Sequence, residues 1–545
     1  MSEKEFNLLD EKWIRVMHSS GETEEVSLIE VFQRAPEFKG LAGELPTQDI
    51  AVLRLLLAIL HAVIGRYDLE GNYAPVFSSK DMSATPQDAL TRWKSLWDNK
   101  SFPMGKIEEY LRHYEERFYL FHPETPFYQV AEIVDATEYS AAKLNGELSE
   151  SGNKIRLFSQ RSNKKKKELF YNEAARWLLY VNAFDDTSSK PRRQGLPSPG
   201  AGWLGKLGLV IAVGDSLFET MMLNLVLLKD GEDALWSSGK PVWEISEVKK
   251  DERTEIVIPA NPAALLTLQS RRLRLIKNEN QNCVIEYLLL GGDFFPKENS
   301  LMEQMTVWRN NAKKESDPTE YVPKRHDPSK QLWRELSSLI VQKKGNRPPG
   351  VVRWIERLAG EDILNRKNIC FLTVSVKYGD KDFFVDDVFS DTISLNAGIL
   401  KEKDEEWVFR IVEEINMTEL LVAQLGYLAQ NPEKAAGHEN GDRSKTAAKE
   451  QAYFRLDNPF RTWLESIEPD KDGDRKQEVF DQWWSISQKI VRGLGRDIIA
   501  EAGQQAFIGR KTKEKNKEYS YSAPEAYNMF LFKTSSRDAL KGGKS

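Results

Sequence analysis

A glycine-rich segment in the middle of the chain has the spacing of a phosphate-binding loop. Residues 200–205 read Gly-Ala-Gly-Trp-Leu-Gly, a match to G-x-G-x-x-G, whose glycines let a backbone approach a ligand closely. A dinucleotide site also needs a strand before the motif and a helix after it. Here Pro197 and Pro199 precede the motif and an extended apolar run follows it, so these flanks are missing. The segment is either a plain connecting loop or a loop that contacts phosphate.

A second candidate for binding is the basic segment 154–167. It contains Leu157, Phe158, Ser159 and Arg161, and then a run of four lysines, Lys164, Lys165, Lys166 and Lys167. Cations that contact phosphates beside an aromatic ring that contacts bases are typical of proteins that bind single strands or grooves. A solvated lysine tract without a ligand is the alternative, and the sequence leaves both open.

Two further basic stretches are candidates for backbone contacts. The run Arg271-Arg272-Leu273-Arg274-Leu275 alternates as a strand does, which predicts Arg272 and Arg274 on one face and the leucines on the other. Such a face could bind phosphate groups, and arginines that form ion pairs on the protein surface would give the same pattern. Farther along, Arg510, Lys511, Lys513, Lys515 and Lys517 lie between the last two predicted helices. Because Glu514 interrupts them, a polar loop is favoured there.

Residues that carry catalysis are sparse. The histidines lack metalloprotease spacing, His326-Asp327 has no further ligands in its pattern, and residues 470–474 misplace the glycine of a calcium loop. Cys283 and Cys370 form no CxxC pair, so neither a disulfide framework nor a cysteine zinc site is expected. We expect a binding protein without enzymatic activity, cofactor or metal. The alternative is a nucleotide-binding enzyme that uses Gly200–Gly205 as a phosphate cradle.

Length and composition limit the class of protein. The 545 residues suggest two to four domains, and 40% hydrophobic residues exclude a wholly disordered or collagen-like chain. Because the formal net charge is −6, any nucleic acid must be bound by local basic patches. The start has no secretory pattern. The most apolar stretch, 50–64, is too short for a membrane span, so a buried helix in a cytoplasmic protein without membrane contact is expected.

The elements that must position these segments change character near residue 400. Before it, Ser27, Thr47 and Thr85 are predicted N-caps of helices, and residues 6–16 are predicted to form a strand, a tight turn and a second strand. After it, helices are predicted at 404–430, 444–466, 476–505 and 523–533, with connections typical of an antiparallel bundle. The sequence therefore predicts an α+β protein, with a large mixed α/β domain over 1–400 and a four-helix bundle over 401–545.

Short blocks along nearly the whole chain follow an order found in one known family. Residues 6–16, Phe-Asn-Leu-Leu-Asp-Glu-Lys-Trp-Ile-Arg-Val, are the most specific block. Further blocks lie at 125–130, 157–158, 199–205, 217–220, 269–275, 305–309 and 453–457. The ordered set resembles the CasA-type large subunit (Cas8e family) of type I-E Cascade, a CRISPR surveillance complex. The fold of that family, an α/β domain followed by a four-helix bundle, agrees with the predicted elements.

The resemblance implies a division of labour in antiviral defence. Guide-RNA pairing reads the target, while the large subunit recognises the flanking protospacer-adjacent motif (PAM) and starts the unwinding that leads to an R-loop. The family reads this motif from the minor groove, whose degenerate pattern permits related motifs. The implied partners are the backbone, guide-end and small helical subunits of Cascade, the crRNA, double-stranded target DNA, and the helicase–nuclease that is recruited to destroy the target.

The resemblance also implies positions for the DNA-contacting loops. The basic loop is 154–167, with Leu157, Phe158 and Ser159 at its reading tip, and the loop that approaches the duplex carries Gly200, Gly202 and Gly205. A wedge hairpin that splits the first base pair lies at Tyr378, Gly379, Asp380, Lys381 and Asp382. Because relatives have an uncharged amide where Asp382 aligns, the wedge is either Asp382 or Lys381. Backbone contacts are expected from Arg192, Arg193, Arg272 and Arg274.

Overall fold

The structure is a computed structural model in which the chain divides into two compact units. The first comprises Met1–Pro328, Ser338–Ile363 and Ile369–Thr392, and the second comprises Ser329–Ser337, Leu364–Asn368 and Ile393–Ser545. The residues described are 4–78, 84–146, 161, 166–187, 198–245, 259, 261–278, 281–293, 302–310, 321–341, 346–364, 367–401, 405–437, 441–469, 473–514 and 517–542. The main segment of the second unit begins close to the predicted boundary at residue 400, but this unit also takes two short stretches from earlier in the chain.

The strands before residue 397 form several small sheets. In chain order they are β1 Glu5–Asn7, β2 Ile14–His18, β3 Thr23–Val26, β4 Phe38–Leu41, β5 Tyr119–Phe121, β6 Thr137–Ser140, β7 Leu169–Phe170, β8 Leu209–Val213, β9 Arg271–Asn278, β10 Cys283–Gly291, β11 Trp308–Asn310, β12 Tyr321–Pro323, β13 Asn346–Arg347, β14 Asn368–Tyr378 and β15 Val385–Asn396. The hydrogen-bonded orders are β3-β2-β4, β1-β5, β6-β10-β7 with β9 on β10, β12-β11-β13, and β15-β14-β8.

Local signals predict the start of two of the helices in this region. The helices are α1 Leu28–Gln33, α2 Pro46–Ile64, α3 Pro86–Asn99, α4 Met104–His113, α5 Ala141–Leu144, α6 Tyr171–Phe184, α7 Leu217–Asn224, α8 Pro262–Leu266, α9 Leu332–Ile340 and α10 Gly350–Gly360. Ser27 and Thr85 are N-caps, each in a capping box with the carboxylate three residues later. The prediction for Thr47 is wrong, because α2 begins two residues earlier than that N-cap implies, with Leu45 as N-cap and Pro46 in the first turn.

The first two strands do not form the hairpin that their spacing predicts. β1 pairs with β5, which places Glu5 opposite Phe121, whereas β2 pairs with β3 and β4. The backbone amides of Asp10 and Glu11 both donate to the Asn7 carbonyl, so a turn directs the chain away from β1. The prediction is wrong because strand partners are selected by burial across the fold and not by proximity in sequence.

Helix α2 is a core helix of the first unit. Within the described residues it is the one helix long and apolar enough to cross a membrane, and 89% of its apolar window is buried inside the protein. The predicted buried helix is therefore confirmed. Its Arg54 is buried and pairs with Glu303 at 3.0 Å. Burial also lowers the pKa of His61 to about 3, so that imidazole is neutral at physiological pH.

The second unit is a helical bundle with an aromatic core. Its long helices are α11 Glu405–Ala436, α12 Asp442–Glu465, α13 Gly473–Ala500 and α15 Ala523–Lys533, and its short helices are α14 Gln504–Ile508 and α16 Arg537–Lys541. The Trp483 ring lies 5.0 Å from that of Phe460 and 5.4 Å from that of Trp463. Trp333, from the stretch Ser329–Ser337 of the same unit, stacks on Phe460 at 4.7 Å. The predicted α+β class with a C-terminal four-helix bundle is confirmed.

The basic segment between the last two long helices is a β-hairpin and not the polar loop expected. β16 Arg510–Glu514 pairs with β17 Lys517–Tyr521, with Arg510 opposite Tyr521. The base of this hairpin is fixed by Tyr521, which packs against a small buried cluster of Ala435, Ala506 and Ala523. The alternation of basic residues with Glu514 could not reveal that Tyr521 packs against this alanine cluster.

Candidate nucleic-acid interface

The predicted wedge lies in the turn between β14 and β15. The amide of Gly379 donates to the Phe384 carbonyl at 2.9 Å, and that of Asp382 donates to the Gly379 carbonyl at 3.0 Å. Lys381 and Asp382 both have left-handed backbone, with φ of 54° and 60°. Because this conformation costs an L-residue about 1–2 kcal/mol, contacts from outside the turn must stabilise it.

Two neighbours supply those contacts. The guanidinium of Arg325 forks onto the Asp382 carboxylate at 3.2 and 3.3 Å. Thr187 donates its hydroxyl to the Lys381 carbonyl at 2.8 Å and its amide to the Asp382 carbonyl at 2.9 Å. The charge of Asp382 is therefore offset, while Lys381 is exposed. This geometry favours Lys381 over Asp382 as the residue that meets a ligand.

The glycine loop faces inward at two of its three glycines, which are buried. A side chain at Gly202 would place its Cβ 2.4 Å from the Ala183 carbonyl oxygen, and one at Gly205 would place it 1.9 Å from the Tyr378 hydroxyl. Packing against the protein itself explains both glycines, and their approach to a duplex stays a prediction. Tyr378 is also buried and donates to the Phe184 carbonyl at 2.7 Å, so it supports the wedge turn from below and is not part of an exposed tip.

The same loop does not offer its amides to a phosphate. The amide of Gly202 donates to the Asp185 carbonyl at 2.8 Å, that of Trp203 to the Ser270 hydroxyl at 3.1 Å, and that of Gly205 to the Gly202 carbonyl at 3.1 Å. A phosphate cradle needs backbone donors that converge on the ligand. Because these three donors are used within the protein and do not converge on one point, the geometry does not support the alternative of a nucleotide cradle.

Gly200, the remaining glycine of the loop, is held by a buried arginine. Its backbone is left-handed, with φ of 63°, and its carbonyl accepts from Arg271 at 2.6 Å. The side chain of Arg271 is 1% exposed, and it also donates to the Asp185 carboxylate at 2.5 Å and to the Asp186 carbonyl at 3.0 Å. One guanidinium therefore joins the end of α6, the glycine loop and the first residue of β9.

The guanidinium face predicted for β9 is only half present. Arg272 is 1% exposed and donates to the Asp293 carboxylate at 2.7 Å and to the Gln269 carbonyl at 3.0 Å. Its prediction as a backbone contact is wrong, because a buried and paired guanidinium cannot reach a phosphate. Arg274 is exposed and remains a candidate.

Much of the basic loop lies outside the described residues. This applies to Leu157, Phe158, Ser159, Lys164 and Lys165, and also to Arg192 and Arg193. Lys167 is exposed and Lys166 half-buried where the segment enters β7. Arg161 is described, and its guanidinium lies 2.7 Å from the Glu44 carboxylate and 3.2 Å from that of Glu173. Since its side chain is 12% exposed and bound to two carboxylates, the prediction that Arg161 contacts DNA is wrong.

A cleft of about 420 Å³ lies beside the strand that follows the wedge turn. It is lined by aromatic residues of α6, by Lys143 and Gly146 from α5 and its end, and by residues 384–388 at the start of β15. On its wall the ammonium of Lys143 contacts the Asp186 carboxylate. Of the basic segment, the described residues Arg161, Lys166 and Lys167 do not line this cleft.

Asp49, near the start of α2, supports the segment that carries Glu44. Its carboxylate accepts from the Gly43 amide at 2.7 Å, and the Gln48 side chain accepts from the Glu44 amide at 3.0 Å. Burial raises the pKa of Asp49 to about 7, and the hydrogen bond from Gly43 opposes this only in part. The carboxyl therefore keeps a proton in the folded chain at pH values at which the unfolded chain has lost it.

We expect this proton to make stability fall as pH rises. Between about pH 4 and pH 7 the folded chain binds more protons at Asp49 than the unfolded chain does, so this group lowers the free energy of unfolding by on the order of 2–4 kcal/mol. Urea denaturation at pH 4 and pH 7 should show that Asp49→Asn removes this contribution. At pH 4 the variant should match the wild type, and an unchanged pH slope would contradict the expectation.

The residues that hold these loops were missed by sequence reasoning. An arginine in an apolar strand needs a buried partner, which is a partial signal for Arg271. Arg325 and Glu44 gave no local signal, because their partners lie 57 and 117 residues away.

The fold and these loops together define the class of protein. A mixed α/β unit and a helical bundle are built on one chain, and in the first unit Lys381 of the wedge turn and Arg274 of β9 are exposed cations. In the part of the chain that the structure describes, no group of three or more His, Cys, Asp or Glu side chains is placed to hold a metal ion. This is a large α+β protein whose candidate site is suited to binding.

Comparison with known proteins gives the family. The model of CRISPR-associated protein Cse1 matches residues 7–494, and the chain belongs to that family. A curated relative, CRISPR-associated protein CasA/Cse1 of Thermus thermophilus, is 27% identical over 538 residues, which cover 94% of this chain and 99% of the relative. The resemblance of the ordered sequence blocks is confirmed.

Solved structures agree with this assignment. The crystal structure of Thermobifida fusca Cse1 has a TM-score of 0.80 at 29% identity, covering 99% of this chain and 98% of that one. Cse1 from Acidimicrobium ferrooxidans has a TM-score of 0.78 at 23% identity, covering 99% and 100%. A chain of a structure named CRISPR RNA-guided surveillance complex has a TM-score of 0.62 at 15% identity, covering 91% and 100%. The last two likenesses concern the fold alone.

Proposed function

We propose that this chain is the large subunit of a CRISPR RNA-guided surveillance complex and has no catalytic activity of its own. The observation that carries the proposal is the match of the Cse1 family model over residues 7–494. The fold shared with a chain of a surveillance complex supports it. In the cytoplasm the chain assembles with the other Cascade subunits and the crRNA.

Within that complex the chain recognises the PAM from the minor groove of the target duplex. A formal net charge of −6 repels DNA at long range, so capture depends on cations concentrated in one place. Lys164–Lys167 supply four in succession, and Arg274 is exposed on β9. Phe158, three residues before Arg161, supplies the ring that meets the base edges.

Lys381 starts the separation of the two DNA strands. Its turn is already held by Arg325 and Thr187, so little conformational entropy remains to be lost on insertion. Insertion costs a few kcal/mol of unstacking for each base step, which phosphate contacts and guide pairing offset. After the R-loop forms, the chain helps to recruit the helicase–nuclease, and that partner cleaves the target.

Reconstitution of the complex with and without this chain tests the proposal. Duplexes with randomised flanking bases should bind with affinities that differ by about tenfold or more when the chain is present, and with uniform affinity when it is absent, because each wrong base pair costs about 1–3 kcal/mol. Phe158→Ala should abolish most of this preference. Phe170→Ala, at a phenylalanine that is 60% exposed, is the matched control and should preserve it. Equal target binding with and without the chain would overturn the proposal.

A further inference from the structure

The charge of Arg161 is used within the protein, although Arg161 lies in the most basic segment of the chain. One nitrogen of its guanidinium lies 2.7 and 2.8 Å from the two carboxylate oxygens of Glu44. Another lies 3.2 Å from the carboxylate of Glu173. With 12% of its side chain exposed, Arg161 is docked between two acidic groups and does not extend into solvent.

Both acidic groups are held in place by other residues. The Glu44 carboxylate also accepts from the indole N–H of Trp177 at 3.0 Å, and the Glu44 backbone is fixed by the side chain of Gln48 in the first turn of α2. The second oxygen of Glu173 accepts from the Phe170 amide at 3.1 Å, which ties this carboxylate to the start of α6. The acceptor for Arg161 is thus built by α6 and by the segment that leads into α2.

An arginine suits this position better than a lysine does. The guanidinium is a planar fork that binds two carboxylates in different directions at once, whereas an ammonium is a point charge on a flexible stem. Without the guanidinium, Glu44 and Glu173 would keep two like charges in a partly buried place. The pairing is therefore specific in geometry as well as in sign.

We propose that Arg161 is a positioning residue that fixes the basic loop to the protein, and that Glu44 is its main acceptor. The inference rests on the proposed function. Phe158 and Lys164 are each three residues from Arg161, so neither Cα lies more than about 11 Å from that of Arg161. Fixing Arg161 therefore sets an upper limit on how far Phe158 and Lys164 can lie from the Glu44 and Glu173 carboxylates. The contacts of Phe158 and Lys164 with DNA then cost less conformational entropy on binding.

The two roles that Arg161 could have predict opposite effects at Glu44. If Arg161 bound a phosphate, Glu44→Gln would remove a competing negative charge and tighten binding to every duplex. As an anchor, Arg161 loses its acceptor in Glu44→Gln, and the preference for the correct flanking bases falls by about tenfold. Arg161→Lys, which keeps the charge but loses the fork, should behave in the same way, with an unchanged salt dependence because no phosphate contact is lost.

The experiment compares Glu44→Gln, Arg161→Lys and the control Glu138→Gln, at an exposed carboxylate of β6. Assembled complexes are titrated with duplexes carrying correct and incorrect flanking bases, and the full-length chain without DNA is digested with chymotrypsin to follow cleavage at Phe158. Both anchor variants should lose preference and be cleaved about tenfold faster, and the control should match the wild type. Tighter binding by Glu44→Gln, or wild-type preference in Arg161→Lys, would overturn the anchor.

The digestion tests the anchor independently of the proposed function. If the wild-type complex shows no preference for flanking bases, the proposed function fails. Faster cleavage at Phe158 in Glu44→Gln would still uphold the anchor in that case, and cleavage at the wild-type rate would overturn it.

Discussion

Replacing Lys164, Lys165, Lys166 and Lys167 with alanine is expected to weaken duplex capture by the assembled complex and to flatten its dependence on salt. Each phosphate contact releases about 0.9 counterions, so four contacts contribute up to about 3.6 to the slope of log affinity against log salt. Raising the salt from 50 to 200 mM should therefore weaken the wild-type complex by up to about 150-fold more than the variant. Titration of one duplex at four salt concentrations measures this slope.

Four lysines elsewhere on the chain provide the control for net charge. Lys12, Lys94, Lys100 and Lys489 are exposed, and their replacement removes the same four charges from a net charge of −6. Because a cation acts on a phosphate over only about one Debye length, this control should keep the wild-type slope. Equal slopes for the two quadruple variants would mean that the basic loop does not contact the duplex.

Arg271→Met should destabilise the first unit by about 3–5 kcal/mol. The substitution roughly preserves volume but removes the guanidinium from the buried Asp185 carboxylate, and removing one member of a buried ion pair costs about this much. It also removes the donors to the carbonyls of Gly200 and Asp186. Urea denaturation of the full chain measures the change, which should appear in the transition of the first unit.

Two further variants separate the buried pair from a general effect of losing an arginine. Arg274→Met removes an exposed arginine from the same strand and should change stability by no more than about 0.5 kcal/mol. Adding Asp185→Asn to Arg271→Met should recover part of the loss, because the buried negative charge that Arg271 offset is then gone. If Arg271→Met and Arg274→Met are equally stable, Arg271 does not hold the glycine loop in the way described.

Features of the fold that depend on neighbouring residues could be predicted from the sequence. The capping boxes at Ser27 and Thr85 act over three residues, and the long helices of the bundle follow from apolar spacing within each helix. The partner of β1 could not be predicted, because Phe121 lies more than a hundred residues from Glu5. The same limit applies to the basic hairpin, whose support is an apolar cluster contributed by three separate helices.

The candidate site also has features that could be predicted from the sequence and features that could not. Loops rich in lysine or glycine are recognisable by type, but their contacts are not. Gly205 is a glycine because the hydroxyl of Tyr378, at the end of β14, fills its side-chain space. Arg161 and Arg272 are equally basic in sequence to Arg274, yet each has a carboxylate partner that only the folded chain provides.

The bundle is not a continuous piece of chain, and this affects how the protein can be made or divided. Trp333 stacks on Phe460, and its neighbour Arg334 covers the Tyr453 ring with its guanidinium 3.5 Å from the centroid. A protein truncated after residue 392 would keep Trp333 but lose Phe460, on which its ring stacks. A fragment that starts at residue 393 would lack Trp333 and would leave a cavity in the bundle core. During translation Trp333 leaves the ribosome well before the helix that covers it, so the last third of the polypeptide must arrive before this core can close.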